Sequence, residues 1–262
     1  MQDIDAHVRV KNNRRGTWHR QVLIISGVMG SGKSTAAIGI TRVLKEKGFK
    51  VKITNMTGFH NLAYILTYFL VRVTYGSKGF HDLIEKYKIH PLSLLGSYVI
   101  ERLAKLLSTL EILSLHIAFL HKIILPLKLR YDIIVVDEGP INVIGNYMAT
   151  FSSHKDKTIL QMLIKNVLRL IQKVSSIASL KIFFLDADNF TLISRWEHRG
   201  YPRQIQQPFT YENYLAYLMY IRKARDLLNQ TLDDEIIDIN TSALAPPKVI
   251  DVMLNELGFF FR

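Results

Sequence analysis

The chain has no cysteine among its 262 residues. That excludes disulfides, cysteine-ligated zinc and a thiol nucleophile, and it fits a reducing compartment. Acid is scarce beside base: 22 Asp and Glu stand against 34 Lys and Arg, a formal charge of +12. Such a balance favours polyanionic partners, whether nucleotides, nucleic acid or an anionic membrane surface. The opening segment, MQDIDAHVRVKNNRRGTWHR, lacks an apolar core, so residues 1–20 are expected to be a flexible basic lead-in rather than a signal peptide or a span. The long apolar run from Leu103 to Leu120 is broken by Lys105, Glu111 and His116, which argues against a transmembrane helix. None of the nine histidines has metal-ligand spacing such as H-E-x-x-H, and His116 and His121, five apart, do not share a helical face. A soluble, cytoplasmic protein is expected. What is present in quantity is apolar residue, 48% of the chain, enough to bury a full core in a single domain over residues 21–262.

Periodicity organises that domain. QVLIIS is a short, β-branched apolar run that stops at Gly27, as a strand buried on both faces would. KSTAAIGITRVLKEKG then places Ala37, Ile40, Val43 and Leu44 at helical spacing and ends at Gly48, a left-handed cap. KVKITN reads as the next strand, which makes a βαβ unit over a parallel sheet. Three more buried strands are expected at YDIIVVDEG, LKIFFLDAD and EIIDIN, the last preceded by the long helix YENYLAYLMYIRKARDLL. Five strands alternating with helices predict a doubly wound α/β sheet. Between the second and third strands lies a helical insert at 59–128. There Leu92, Leu95, Val99, Leu103, Leu106 and Leu110 begin a stripe that continues through Leu113, Ile117, Leu120 and Ile124 and is closed by Pro126. A core helix packed on the sheet is the expected reading; a partner-helix or membrane-surface face is the alternative.

The chemistry is concentrated in GVMGSGKST. Gly27, Gly32, Lys33 and Ser34 satisfy G-x-x-x-x-G-K-[ST] between an apolar strand and a capped helix, the context of a P-loop. Gly27, Gly30, Ser31, Gly32, Lys33, Ser34 and Thr35 are the candidate cradle. Glycines let backbone N–H groups turn inward around a phosphate, Lys33 supplies a flexible point charge, and Ser34 offers a hydroxyl to Mg²⁺. A second metal-shell carboxylate is required at the end of a neighbouring strand, and Asp137 in IIVVDEG meets that need. Glu138 follows it, so either acid could orient an acceptor hydroxyl as base. NFTLISRWEHRGYPR, within a lid expected at 188–208, carries Arg195, Arg199 and Arg203 spaced by four, broken by Gly200 and Pro202. A hinged arginine lid suits phosphoryl transfer; the alternative is a solvated basic helix face.

The P-loop, the DEGP strand end and the arginine segment together resemble the nucleoside and nucleoside-monophosphate kinases, most closely their thymidylate kinase-like branch. FLDADNFTLISRWEHRG is similar to that branch's strand, acidic turn and lid, and PFTYENYLAYLMYIRKARDLL followed by EIIDINTS to its closing helix and last strand. The resemblance spans about 21 to 258 and implies a P-loop NTPase three-layer sandwich with a five-stranded parallel sheet. It also implies ATP with Mg²⁺, and an acceptor cleft built by the helices between strands two and three. By position it sets Lys33 and Arg195 or Arg199 around the transferred phosphoryl, Arg203 on the nucleotide, and Asn240 to Ser242 near the adenine. Two departures bear on the acceptor. The second strand ends ITNMTG without an acid, and the third ends Asp137–Glu138–Gly139–Pro140 where an acid–arginine pair is usual. Losing an arginine and gaining a glutamate favours a neutral hydroxyl needing a base, on a nucleoside, sugar or lipid-linked glycan. Arg72 and Arg102 could replace the cation, though solvated helix positions are the plainer reading.

The expected function is therefore transfer of the γ-phosphoryl of ATP to a small nucleotide, nucleoside or other hydroxyl acceptor. Against it stand a P-loop ATPase or switch without an acceptor, and a polyanion-binding protein that keeps its P-loop as a relic. Tyr211, Tyr214 and Tyr217, set among basic residues, fall at helical spacing and read as packing, so nucleic acid is not the expected partner. Peripheral membrane contact and a homodimer both stay open.

Overall fold

The computed structural model describes residues 20–59, 62–81, 97–151, 157–198, 211–232 and 236–258. Five strands form one parallel sheet: β1 (Gln21–Gly27), β2 (Val51–Asn55), β3 (Ile133–Asp137), β4 (Ser179–Asp186) and β5 (Ile236–Asn240), in the order β2-β3-β1-β4-β5. All four pairings are parallel, with Ile25 beside Asp137, and Asp137 beside Asn55, at the carboxyl edge. The expected five strands are therefore all present. The inner strands β1, β3 and β4 read as largely apolar runs because both faces are covered, while the edge strands β2 and β5 are only partly buried. Val22 and Ile24 of β1 sit with Ile134 and Val136 of β3 in one core; Leu23 and Ile25 sit with Ile133 and Val135 in the other.

The smaller core lies under α1 (Lys33–Glu46) and α9 (Pro246–Glu256). Gly48 has φ 89 and its N–H donates to Lys45 O, the left-handed cap expected there. The larger core is closed by α5 (Pro140–Phe151), α6 (Lys157–Ser175) and α8 (Tyr211–Thr231), together with the insert helices. Gly145 lets α5 and α8 close up, since a Cβ there would stand 2.3 Å from the Ile221 side chain.

The insert departs from expectation in two ways. It contains α2 (Leu62–His81), α3 (Ser97–Phe119), a π-helical turn at Leu120–Ile124 and a short α4 (Leu125–Lys128). Pro126 does not end the helix; helical structure runs on to Lys128. The wide turn explains this. Leu125 N–H bonds back to Leu120 O, so the ladder is already offset where the pyrrolidine would otherwise meet the carbonyl of the preceding turn. The leucine stripe, second, faces the core only in part: Val99, Leu103, Leu110 and Ile124 pack against it. Leu106, Leu113, Ile117 and Leu120 are 48–60% exposed, whereas Ala104, Leu107, Ser108, Glu111, Leu115 and Phe119 are buried. A polar group at a buried helix position is invisible to hydrophobic spacing when a tertiary partner satisfies it, and Glu111 has such partners. Leu92 and Leu95 lie outside the described residues.

Candidate active site

The loop between β1 and α1 holds three glycines at positive φ: Gly27 at 148, Gly30 at 93 and Gly32 at 92. At Gly27 the need for glycine is absolute, because a Cβ would fall 2.0 Å from the Leu185 carbonyl oxygen of β4. Gly32 precedes α1 as its N-cap without a side-chain cap, and the first turn of that helix contains no acid. An uncapped helix N-terminus beside an inward-turned glycine loop is an anion site. Ser31 is buried, its hydroxyl donating to Val28 O at 2.9 Å, while Ser34 and Thr35 are exposed on the first turn. Lys33 lies in the loop's hollow, 8% exposed, its Nζ donating to Val28 O at 3.1 Å and standing 4.0 Å from Glu138 Oε1.

Asp137 and Glu138 arrive from the end of β3. Glu138 has φ 61, left-handed and costly for a residue with a Cβ, and it is held there from both sides. Its N–H donates to Ile25 O at 3.1 Å and its carbonyl accepts Met56 N–H at 2.9 Å. The strain therefore turns the Glu138 carboxylate toward Lys33 while tying the turn to the loop after β2. Asp137 Oδ1 is buried and has no hydrogen-bond partner among the described residues. An orphaned carboxylate oxygen at the sheet's carboxyl edge and an exposed Ser34 hydroxyl on the first turn of α1 are hard-oxygen donors of the kind that fits Mg²⁺.

Arg195, on α7 (Asn189–His198), is also brought to this loop. Its guanidinium donates to Gly30 O at 3.4 Å, Thr241 Oγ1 at 3.1 Å and Thr241 O at 2.7 Å. It thereby links the phosphate loop to the turn after β5 that contains Asn240, Thr241 and Ser242. Arg199 and Arg203 lie outside the described residues.

Two residues that hold the loop were missed from sequence. Asn142 was passed over; it is 3% exposed, and its Oδ1 accepts Gly27 N–H at 3.2 Å while its Nδ2 donates to Gly27 O at 2.8 Å. The signal was there: a lone amide in the apolar stretch PINVIG, directly after the DEGP turn. Removing it strands both main-chain groups of Gly27, so Asn142→Ala is expected to destabilise the fold by about 2 kcal/mol, read as a lowered urea midpoint. An unchanged midpoint would mean that this clamp carries no weight. Tyr214, by its helical spacing, is expected only to pack. It does pack, stacked on Trp196 at 5.1 Å and 10°, but its hydroxyl also donates to Met29 O at 2.9 Å, so α8 braces the phosphate loop from above. A cleft of about 410 Å³ at the opposite edge, lined by Arg20, Gly48, Phe49, Arg130 and Asp132, contains none of these groups.

On the insert side, Glu111 is buried at 1% exposure. Its Oε1 accepts Phe59 N–H at 2.8 Å and the Tyr147 hydroxyl at 2.6 Å, while its Oε2 has no partner among the described residues. Burial pushes its carboxyl up from 4.5 to about 7, against the two hydrogen bonds that lower it. These bonds hold Phe59 at φ 57 against Tyr147, 5.2 Å away edge to face, and so fix the loop that leaves β2.

No protein-family model and no curated protein matches the chain. Solved structures do. A thymidylate kinase from Candida albicans is 15% identical over 92% of both chains, with a TM-score of 0.50. A deoxyadenosine kinase from M. mycoides, solved with bound dCTP, is 14% identical over 92% of this chain and 100% of its own, with a TM-score of 0.47. The chain thus shares its fold, a five-stranded parallel sheet between helical layers with a P-loop after β1, with that thymidylate kinase.

Proposed function

We propose that the chain is a phosphotransferase that moves the γ-phosphoryl of ATP to a small acceptor of the nucleotide or nucleoside class. The observation that carries this reading is the meeting of Lys33 Nζ and Glu138 Oε1 at 4.0 Å over an uncapped helix N-terminus. A cation, a carboxylate and a set of inward N–H groups converge where a terminal phosphate would lie. A carboxylate held beside them orients the attacking oxygen, and it is acceptor dependence that separates a transferase from an ATPase.

In this proposal the amides of Gly30 and of Gly32 to Thr35, with the Lys33 ammonium, bind the β- and γ-phosphates, and Lys33 follows the charge that develops on the γ-oxygens. Arg195 keeps the nucleotide side of the loop closed against Thr241. Asp137 and Ser34 would hold Mg²⁺, which when bound neutralises phosphate charge. Glu138 accepts the proton of the acceptor hydroxyl as that oxygen bonds to the γ-phosphorus. The bond from phosphorus to the β–γ bridging oxygen breaks, and ADP leaves with that electron pair. Two acids at this strand end, with no arginine between them, support an acceptor hydroxyl that needs a base.

The test is acceptor-dependent ATP consumption. Pools of nucleosides, nucleoside monophosphates and sugars are offered with Mg²⁺-ATP, and each is examined by mass spectrometry for the gain of one phosphate. Transfer to one pool is expected. ATP hydrolysis with no pool phosphorylated would overturn the transferase in favour of an ATPase.

A further inference from the structure

The site leaves one large feature of the molecule unused. Most of the large apolar side chains that stand exposed among the described residues lie on residues 62–129. On α2, Ile65, Phe69 and Val73 are spaced by four and are 64%, 61% and 68% exposed. Next to it packs α3, where Leu106, Leu113, Ile117 and Leu120 form the outward stripe. The segment Val99–Lys128 contains a stretch long and apolar enough to cross a membrane by length and composition. Its other side is already committed, since Leu107, Leu115, Phe119 and Ile123 belong to the core. It is therefore a helix with one face in the protein and one apolar face outside it, which suits lying along an interface rather than crossing one.

Charge identifies the occupant. Between Lys105 and Lys128 the only formal charges are Glu111, which is buried, and Lys122, whose ammonium donates to Asn55 O and Oδ1 at 2.9 Å. Between its ends the outward face thus has no exposed carboxylate; its exposed polar side chains there are Thr109, His116 and His121, and the Lys122 ammonium is turned onto Asn55. At its ends stand exposed Lys105, Lys128 and Arg130, and Arg72 is exposed on α2. Cations flanking an apolar stripe match lipid chains bordered by anionic headgroups, and the chain's overall charge of +12 adds long-range attraction. A second copy of the same face would bring these cations against one another.

We infer that the α2–α3 face is a docking surface for an anionic lipid membrane. The inference is independent of the nucleotide site. The test is co-sedimentation of the full chain with vesicles of phosphatidylcholine alone or with about one-third phosphatidylserine, and its self-association without lipid is followed by sedimentation equilibrium. Binding is expected on the anionic vesicles, weakening as salt is raised. Replacing Leu113 and Ile117 together by Ser should lower the partition at least about tenfold. Each of Lys105→Gln, Lys128→Gln and Arg130→Gln should lower it about fivefold on anionic vesicles alone. All five positions are exposed, so melting curves should stay unchanged. Absence of binding overturns the inference. So does binding that the Leu113→Ser, Ile117→Ser variant leaves intact, which would be charge attraction only. A tight dimer that excludes vesicles overturns it in favour of a second copy.

Discussion

Lys33→Ala should retain the fold and lose phosphoryl transfer by at least two to three powers of ten. The loss follows from the role proposed for the ammonium, a preorganised charge in a hollow with little water. Removing one such donor typically costs on the order of 10²–10³ in rate. Retention of the fold follows from the surroundings. The Val28 carbonyl that accepts from Lys33 Nζ also accepts from Ser31 N–H at 3.2 Å and Ser31 Oγ at 2.9 Å, so no buried oxygen is orphaned. The ion pair lost to Glu138 is long, and Glu138 is 41% exposed, so little stability goes with it. Alanine also starts α1 at no helical cost. A melting temperature within a few degrees of the parent, together with the rate loss, is the expected pair of results. Lys33→Arg should not restore the rate, because a planar fork does not fit where a compact charge on a flexible stem does. A Lys33→Ala rate within tenfold of the parent would remove Lys33 from the phosphate site.

How much of this was legible beforehand depends on how local each signal is. The three inner strands were readable because a parallel strand buried on both faces is a largely apolar run, as IIVVD shows, and the edge strands VKITN and IIDIN from their place after a helix. The phosphate loop was readable because three glycines, a lysine and a serine are fixed by backbone geometry within nine residues. The meeting of Lys33 with Glu138 was readable in outline, since both follow strands that end at the same edge. The left-handed turn at Glu138 was not; it depends on Ile25 and Met56, which are remote in sequence. The Asn142 clamp spans 115 residues, and the Tyr214 brace 185. The insert misled for a related reason. Spacing alone points the whole leucine stripe of α3 at the core, while the helix also buries Ser108, Ser114 and Glu111, the last against Tyr147 of α5. Leucine count marks an apolar face; only packing decides which face is inside.

Glu111 gives that reversed face a measurable consequence, a stability that falls as pH rises through neutrality. Unfolded, its carboxyl titrates near 4.5; folded, burial raises it to about 7. Between these values the native state binds more protons than the unfolded chain, so each step up in pH favours unfolding. The contribution of this group is complete below about pH 4.5 and gone above about pH 7, a swing on the order of 3 kcal/mol. Among the described residues its titratable hydrogen-bond partner is Tyr147, whose own hydroxyl is pushed further up by burial and by Glu111, and so stays protonated throughout. Glu111→Gln keeps an oxygen for the Phe59 N–H and the Tyr147 hydroxyl and puts an uncharged NH₂ in place of the orphaned Oε2. Urea midpoints at pH 5 and pH 8 should therefore diverge. The parent should lose stability between the two, the variant should lose much less, and at pH 8 the variant should be the more stable protein. Parallel losses in both would show that the charge on Glu111 is tolerated where it lies. The loop after β2, which Glu111 holds through Phe59, would then owe its position to the ring contacts with Tyr147 and Phe151 at 5.2 and 5.9 Å.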